Sequence, residues 1–323
     1  MQDVDMSVIA DDRLPLVGTL TLPAGPGPHP AVLLLHASGR LDRDANTGPR
    51  LRMELGPPLA AALARVGIAT LRYDRRGVGA TAGDWLATGF AENRHDAAAA
   101  LRALAGRPEI RADAIGVVGH SEGALHAISL GTHPGIGAVV LLAGFARLGE
   151  DALRWQARMI ARDLPAPVRP LLPLLRTLAA RQLARIKRSS TDVVRVAGMR
   201  MNARWMREML HHDPRPELAK IQVPVLAITG DKDIQVDPAD LDEISRLVPG
   251  AVEVHRIPDL THVLRRDPGR PSVRSYPRLL RQPVDADLLA QVAGWLAQRL
   301  QDRPQEIRAA HADGTPRTER ATP

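Results

Sequence analysis

Six nearly continuous apolar runs punctuate the chain: AVLLLHA from Ala31, GIATLRYD from Gly67, AIGVVGH from Ala114, GAVVLLAG from Gly137, VPVLAITGD from Val223 and AVEVHRIP from Ala251. Such runs, with little polar alternation, suit strands covered on both faces of a parallel sheet. Segments of helical periodicity, among them PPLAAALARVG and ENRHDAAAALRALAG, lie between them. Strand alternating with helix predicts a doubly wound, mostly parallel α/β domain. The N-terminal stretch through LVGTLTLPAG alternates instead and stops at a Gly/Pro cluster. It predicts one or two antiparallel strands leading into Ala31.

The alternation breaks after Gly144. From Phe145 to about Pro216 the pattern is helical, rich in Arg, Leu and Met, and interrupted by the prolines of DLPAPVRPLLP. A helical insertion, a cap, is therefore expected at 145–216 on a core formed by 1–144 and 217–300. The final stretch, 301–323, is polar and charged with little to bury, and is expected to be disordered. A chain of 323 residues accommodates one such core with an insertion.

Composition narrows the chemistry. Aromatic residues make up only 2% of the chain, so the core must be built from Ala, Leu, Val and Ile. The net charge of +7 comes mostly from arginines scattered along the chain. No dense basic block alternates with aromatics, so a nucleic-acid partner is not expected. The absence of cysteine excludes disulfides, thiolate metal sites and cysteine nucleophiles. The acidic start MQDVDMSVIADDR does not read as a signal peptide. No uncharged apolar run approaches the roughly 18 residues that span a bilayer. The expectation is a cytoplasmic protein with no membrane partner. The oligomeric state is not legible.

One stretch carries specific chemistry. Gly119-His120-Ser121-Glu122-Gly123 fits G-x-S-x-G, with the apolar run Ile115 to Val118 before it and helix-like ALHAISLG after it. A nucleophile elbow needs that context, with a strained serine at a strand end and tiny residues two positions to either side. The competing reading is a strand-to-helix turn with Ser121 as its N-cap. A serine nucleophile needs a base and an orienting carboxylate, in the chain order Ser, Asp or Glu, His. Asp231 and Asp233 both follow the run ending in AITG; Asp233 is favoured as the acid and Asp231 as a turn former. Past the next strand run, His262 lies in a loop, where the base belongs, whereas His255 lies within the run. Oxyanion donors are expected at the backbone amide of Glu122 and at that of Ser38, with Ala37 as the alternative. His36 ends the first core strand and is expected beside the site. The Glu122 side chain is expected to point away from the oxyanion and bond elsewhere.

Two other patterns lead nowhere. Gly77-Val78-Gly79-Ala80-Thr81-Ala82 formally fits the dinucleotide pattern, but Asp96, at the right spacing for the ribose acid, falls in a helical segment. Asp42-Arg43-Asp44-Ala45-Asn46 resembles the start of a calcium loop, but Thr47 and Met53 stand where glycine and glutamate are needed. A loop network of Asp and Arg is the plainer reading. No His and carboxylate cluster has zinc spacing.

Taken together, these stretches resemble the α/β-hydrolase superfamily along roughly residues 15 to 300. More narrowly, the chain is similar to a bacterial group of serine esterases known as dienelactone-hydrolase-like or acyl-aminoacyl-peptidase-like. SGRLDRDAN, GIATLRYDRRGVGAT, GHSEG, WMREMLHHDPRPELAKIQVPVLAITGDKDIQV and THVLR carry the likeness. Within them Asp233 matches the family acid and His262 the family histidine; Ala37 departs from a usual glycine. The resemblance implies an α/β-hydrolase fold and a carboxylesterase acting on short or medium acyl esters without metal or organic cofactor. A peptidase or amidase of the same fold, or a hydrolase fold that only binds a ligand, are the alternatives. Trp155, Met159, Met201, Trp205 and Met206 in the insertion either roof an apolar substrate pocket or only pack the cap on the core.

Overall fold

A computed structural model describes residues 1–48 and 51–301. The segment 302–323, for which disorder was expected, lies outside the described residues. The chain opens with the hairpin β1 (Gln2–Ile9) and β2 (Pro15–Leu22), then β3 (His29–Leu35). The short strands β4 (Asn46–Thr47) and β5 (Leu51–Arg52) precede α1 (Gly56–Arg65), β6 (Ala69–Tyr73) and α2 (Phe90–Ala105). β7 (Ile110–His120), α3 (Glu122–Leu130) and β8 (Ile136–Leu142) follow. Next come α4 (Gly149–Arg162), α5 (Leu172–Arg188), β9 (Val193–Val196), β10 (Met199–Asn202), α6 (Ala203–His211) and α7 (Arg215–Leu218). The chain closes with β11 (Val225–Gly230), α8 (Asp240–Leu247), β12 (Val252–Ile257), α9 (Tyr276–Leu279) and α10 (Ala286–Leu300).

The eight-stranded sheet has the order β1-β2-β6-β3-β7-β8-β11-β12. β1, β2 and β6 pair antiparallel, and the ladders from β6 through β3 to β12 are parallel. Each apolar run of the sequence is one of these strands. Their side chains alternate between two cores, as a period of two requires. Leu33, Val117 and Leu141 pack on the face of α2 and α3, whereas Val32, Val118 and Val140 pack on the face of α1 and α10. The chain runs from β3 to β6 on one side and then crosses to β7 on the other. The crevice above β3 and β7 is therefore the switch point where open α/β sheets bind ligands.

The stretch 145–216 was expected to be helical throughout; it also contains the antiparallel hairpin β9–β10. Its turn is Ala197-Gly198, with φ of 48° and 83°. Two successive positive φ values make the tight turn that matches strand twist, and the short VVRV and MRMN segments could not be told from helix by pattern. No helix among the described residues is long and apolar enough to cross a membrane.

Candidate active site

The elbow begins where β7 ends. Ser121 has φ 56° and ψ −116°, a left-handed backbone that costs a non-glycine residue on the order of 1–3 kcal/mol and is held only by its surroundings. The Ser121 amide donates to the Leu142 carbonyl at 2.8 Å, and the Ser121 carbonyl accepts from Ala124 N–H at 3.0 Å. The flanking glycines are required by close approach. A Cβ on Gly119 would strike the Gly123 carbonyl, and one on Gly123 would strike that of Leu35 in β3. Gly123→Ala is expected to destabilise the protein by about 3 kcal/mol or more, because backbone rather than a movable side chain must yield. A urea midpoint equal to that of the wild type would contradict this packing.

Asp233 follows β11 and is buried. Its Oδ1 accepts from the amides of Gln235 and Val236 at 2.8 and 2.9 Å, and its Oδ2 accepts from His262 Nδ1 at 2.8 Å. With the proton on Nδ1, Nε2 of a neutral His262 ring is the basic nitrogen. Asp231 is turned elsewhere: its Oδ1 accepts from Asp259 N–H at 2.7 Å and ties together the loops after β11 and β12. His255 lies half-buried on β12 against Glu253.

His120, the residue before Ser121, donates from Nε2 to the His262 carbonyl at 3.0 Å, with the two rings 5.0 Å apart. Burial holds His120 well below the ordinary imidazole value of 6.5, so it remains a neutral donor. It joins the histidine loop to the elbow. The sequence offered His120 only as a flanking residue, because nothing local shows what its ring meets across the sheet.

His36 is buried at the end of β3 and donates to the Arg43 carbonyl. Burial lowers it to about 4, so it too stays neutral. Ala37 is buried, while Ser38 and Gly39 border a cavity of about 350 Å³. Its lining adds Arg75, Trp85 and Glu122 from the core and Met201, Trp205 and Met206 from the insertion. The lining reaches Glu122, next to Ser121, but includes none of Ser121, Asp233 and His262, nor the buried His36 and Ala37, nor Trp155 and Met159. Those two lie on α4, whose Gln156 reaches the Asp233 loop at Gln235, while α6 covers the Glu122 side. The α6 helix is fixed by its first residues. Asn202 caps it by accepting from Trp205 N–H at 2.8 Å, and its side-chain amide donates to the Trp85 and Thr88 carbonyls at 2.7 Å each.

Glu122 is almost wholly buried. Its Oε1 accepts from Trp205 Nε1 at 3.1 Å and from Asn93 Nδ2 and His126 Nε2 at 3.3 Å, and Arg75 Nη1 stands 3.3 Å from Oε2. Burial pushes this carboxyl up. The Arg75 charge and the bonds from His126 and Trp205 outweigh that and hold it at about 2. Because the folded value lies below the ordinary 4.5, its contribution to stability is present above pH 4.5 and drains away as the pH falls toward 2. The difference in urea midpoint between wild type and Glu122→Gln is thus expected to be largest near neutrality and to close as the pH falls below 4.5. A constant difference across that range would show that the charge is not what stabilises.

The glycines of the Gly77–Ala82 turn also have a local reason. A Cβ on Gly79 would fall on the Asp74 carboxylate. That carboxylate accepts from Arg43 N, Arg43 Nη2 and Ala80 N at 2.6–2.8 Å. Asp96, on α2, is paired with Arg76 of the loop after β6.

The family model for serine aminopeptidase, S33, matches residues 55–269, a span that includes Ser121, Asp233 and His262. Esterase EstD of Thermotoga maritima is 26% identical over 284 residues, covering 87% of this chain and 65% of that protein. The chain thus spans just under two thirds of that relative's length. The 2,6-dihydroxy-pseudo-oxynicotine hydrolase superposes with a TM-score of 0.58 at 21% identity, covering 92% of this chain and 68% of that one. Est1E from Butyrivibrio proteoclasticus, with ferulic acid bound, superposes with a TM-score of 0.63 at 17% identity, covering 92% and 99%. These structures share the fold. With the family model matching more than half of the chain on a sheet of this order, the protein belongs to the serine aminopeptidase, S33, family of α/β hydrolases.

Proposed function

We propose that the protein is a serine carboxylesterase that cleaves small esters of short or medium acyl chains through an acyl-enzyme. The observation that carries this reading is the buried Asp233–His262 hydrogen bond, 2.8 Å long, on a loop docked against the strained Ser121. Ser121 Oγ attacks the ester carbonyl while His262 Nε2 takes its proton. The tetrahedral oxyanion is held by the amides of Glu122 and Ser38. Collapse expels the alkoxide, which leaves as the alcohol with the proton from His262. Water, deprotonated by the same nitrogen, then attacks the acyl-enzyme and releases the carboxylic acid and free Ser121. Asp233 fixes the His262 tautomer and stabilises its charged form. Residues 145–216 act as the cap, and β10 and α6 supply the Met201 and Trp205 walls of the pocket.

The cavity offers no free acid to a cationic substrate. Glu122 is the one carboxylate among its described lining residues, and Arg75 compensates it, while the lining residues Arg76 and Arg200 pair with Asp96 and Asp84. Binding a peptide's terminal amine, as an aminopeptidase must, calls for an uncompensated acid there. The kinship to a protein named an esterase, and to a fold neighbour holding ferulic acid, agrees with an ester substrate. The family description keeps the peptidase reading as the second one.

A fluorophosphonate probe is expected to label the folded protein on Ser121, located by peptide mapping. A p-nitrophenyl ester series of rising chain length is expected to be cleaved far faster than the matched anilides. Absence of an adduct on Ser121 would overturn the enzyme reading. Anilide cleavage at comparable kcat/KM would replace esterase by amidase.

A further inference from the structure

Arg75 links the two arms of the oxyanion site. It lies two residues beyond the end of β6, next to β3 in the sheet. Its Nη2 donates to the carbonyls of both Ala37 and Gly39 at 2.7 Å. Its Nη1 stands 3.3 Å from Glu122 Oε2, and side-chain exposure of the pair is only 12% and 1%. The Ala37 carbonyl and the Ser38 N–H belong to one planar trans peptide, so they point in opposite directions. Drawing that carbonyl onto Arg75 turns the Ser38 N–H to the other side of the loop. The Gly39 carbonyl, drawn onto the same nitrogen, fixes the next turn, where Gly39 has φ 99°. On the other arm, Glu122 opens α3, where the first amides have no partner within the helix. Its side chain is anchored by Asn93, His126 and Trp205, and so holds the first residue of α3 in place.

We infer that Arg75 and the Glu122 side chain are positioning residues that hold the Ser38 and Glu122 amides in one fixed relation for oxyanion binding. The inference rests on the esterase reading of the site. It also gives the acidic residue after the nucleophile a purpose. A carboxylate near a developing oxyanion would oppose catalysis by itself; joined to Arg75 it becomes one half of a brace that spans both donors. An arginine suits this place because its planar fork serves two carbonyls and a carboxylate at once, which an ammonium cannot do in the same geometry.

The test uses the full-length protein and Arg75→Met, Arg75→Lys and Glu122→Gln, with a short p-nitrophenyl ester. Removing one oxyanion donor costs about 10²–10³ in kcat. Misaligning one by loss of the brace is expected to cost Arg75→Met about 10²-fold in kcat with KM little changed. Affinity for a trifluoromethyl ketone, which forms the tetrahedral oxyanion adduct on Ser121, is expected to fall in parallel. Affinity for the product carboxylic acid is expected to hold. Arg75→Lys should recover part of the loss, and Glu122→Gln should fall between Arg75→Met and wild type. A purely structural role would instead lower the active fraction, seen by fluorophosphonate titration, and leave kcat per labelled site intact. That result, or ketone and acid affinities that move together, overturns the inference. If Arg75→Met does not fold, the near-isosteric Glu122→Gln decides alone by the same readouts. Lack of ester turnover by the wild type overturns both this inference and the esterase reading. Wild-type turnover with unchanged variant kcat overturns this inference only.

Discussion

Asp233→Asn is expected to lower kcat by about 10⁴-fold at neutral pH without unfolding the protein. The asparagine Oδ1 can still accept from the amides of Gln235 and Val236, so the loop keeps its shape. The amide nitrogen then faces His262 Nδ1 and donates to it. The ring must carry its proton on Nε2, and a protonated Nε2 cannot accept the proton of Ser121. The stabilisation of the charged imidazole is lost as well. Asp231→Asn leaves Oδ1 to accept from Asp259 N–H, and its kcat is expected to stay near the wild-type value. Steady-state kinetics of the two variants, each normalised to folded protein by circular dichroism, separate them. Loss of activity in Asp231→Asn with retention in Asp233→Asn would reassign the acid.

Ser121→Ala is expected to lower kcat by about 10⁶-fold and to abolish fluorophosphonate labelling. The remaining turnover would come from the oxyanion donors and substrate binding, which the substitution leaves in place. Ser121→Gly is expected to be equally inactive but more stable, by about 1 kcal/mol, because glycine relieves the cost of the positive φ. Alanine at the same position keeps that cost. Urea unfolding of the three proteins reads the difference directly. A glycine variant less stable than the alanine variant would show that the elbow is not strained, and a serine-free variant with wild-type turnover would remove Ser121 from the chemistry.

The fold was legible because each buried strand is a local statement. AVLLLHA or GAVVLLAG suits a strand covered on both faces inside a parallel sheet, and the alternating N-terminal segment reads as one or two antiparallel strands, which the structure shows as the edge hairpin β1–β2. The β9–β10 hairpin escaped notice because four-residue segments beside a two-residue turn carry too little periodicity to separate from helix. Ser121, Asp233 and His262 could be nominated for a related reason. Each follows a strand of the sheet, and a parallel sheet gathers the C-terminal ends of its strands on one edge. Trp205 could be named as apolar surface of the insertion. Its indole N–H, and what it bonds, could not.

Chain order and hydrophobic period, by themselves, determined the class of the domain, the edge of the sheet on which chemistry would gather, and the elbow's need for glycine. These are short-range or periodic properties, fixed by backbone sterics and by which faces must leave water. Only the tertiary structure decided the partners of Glu122. Arg75 comes from the loop after β6, Asn93 from α2 and Trp205 from α6; His126 alone is local, one turn further along α3. A buried carboxylate is tolerable only where several donors converge on it from separate parts of the chain. The same holds for His120 and the carbonyl of His262, 142 residues apart. Such convergence leaves no mark in any window of sequence, because long-range packing and the low dielectric of the interior create it.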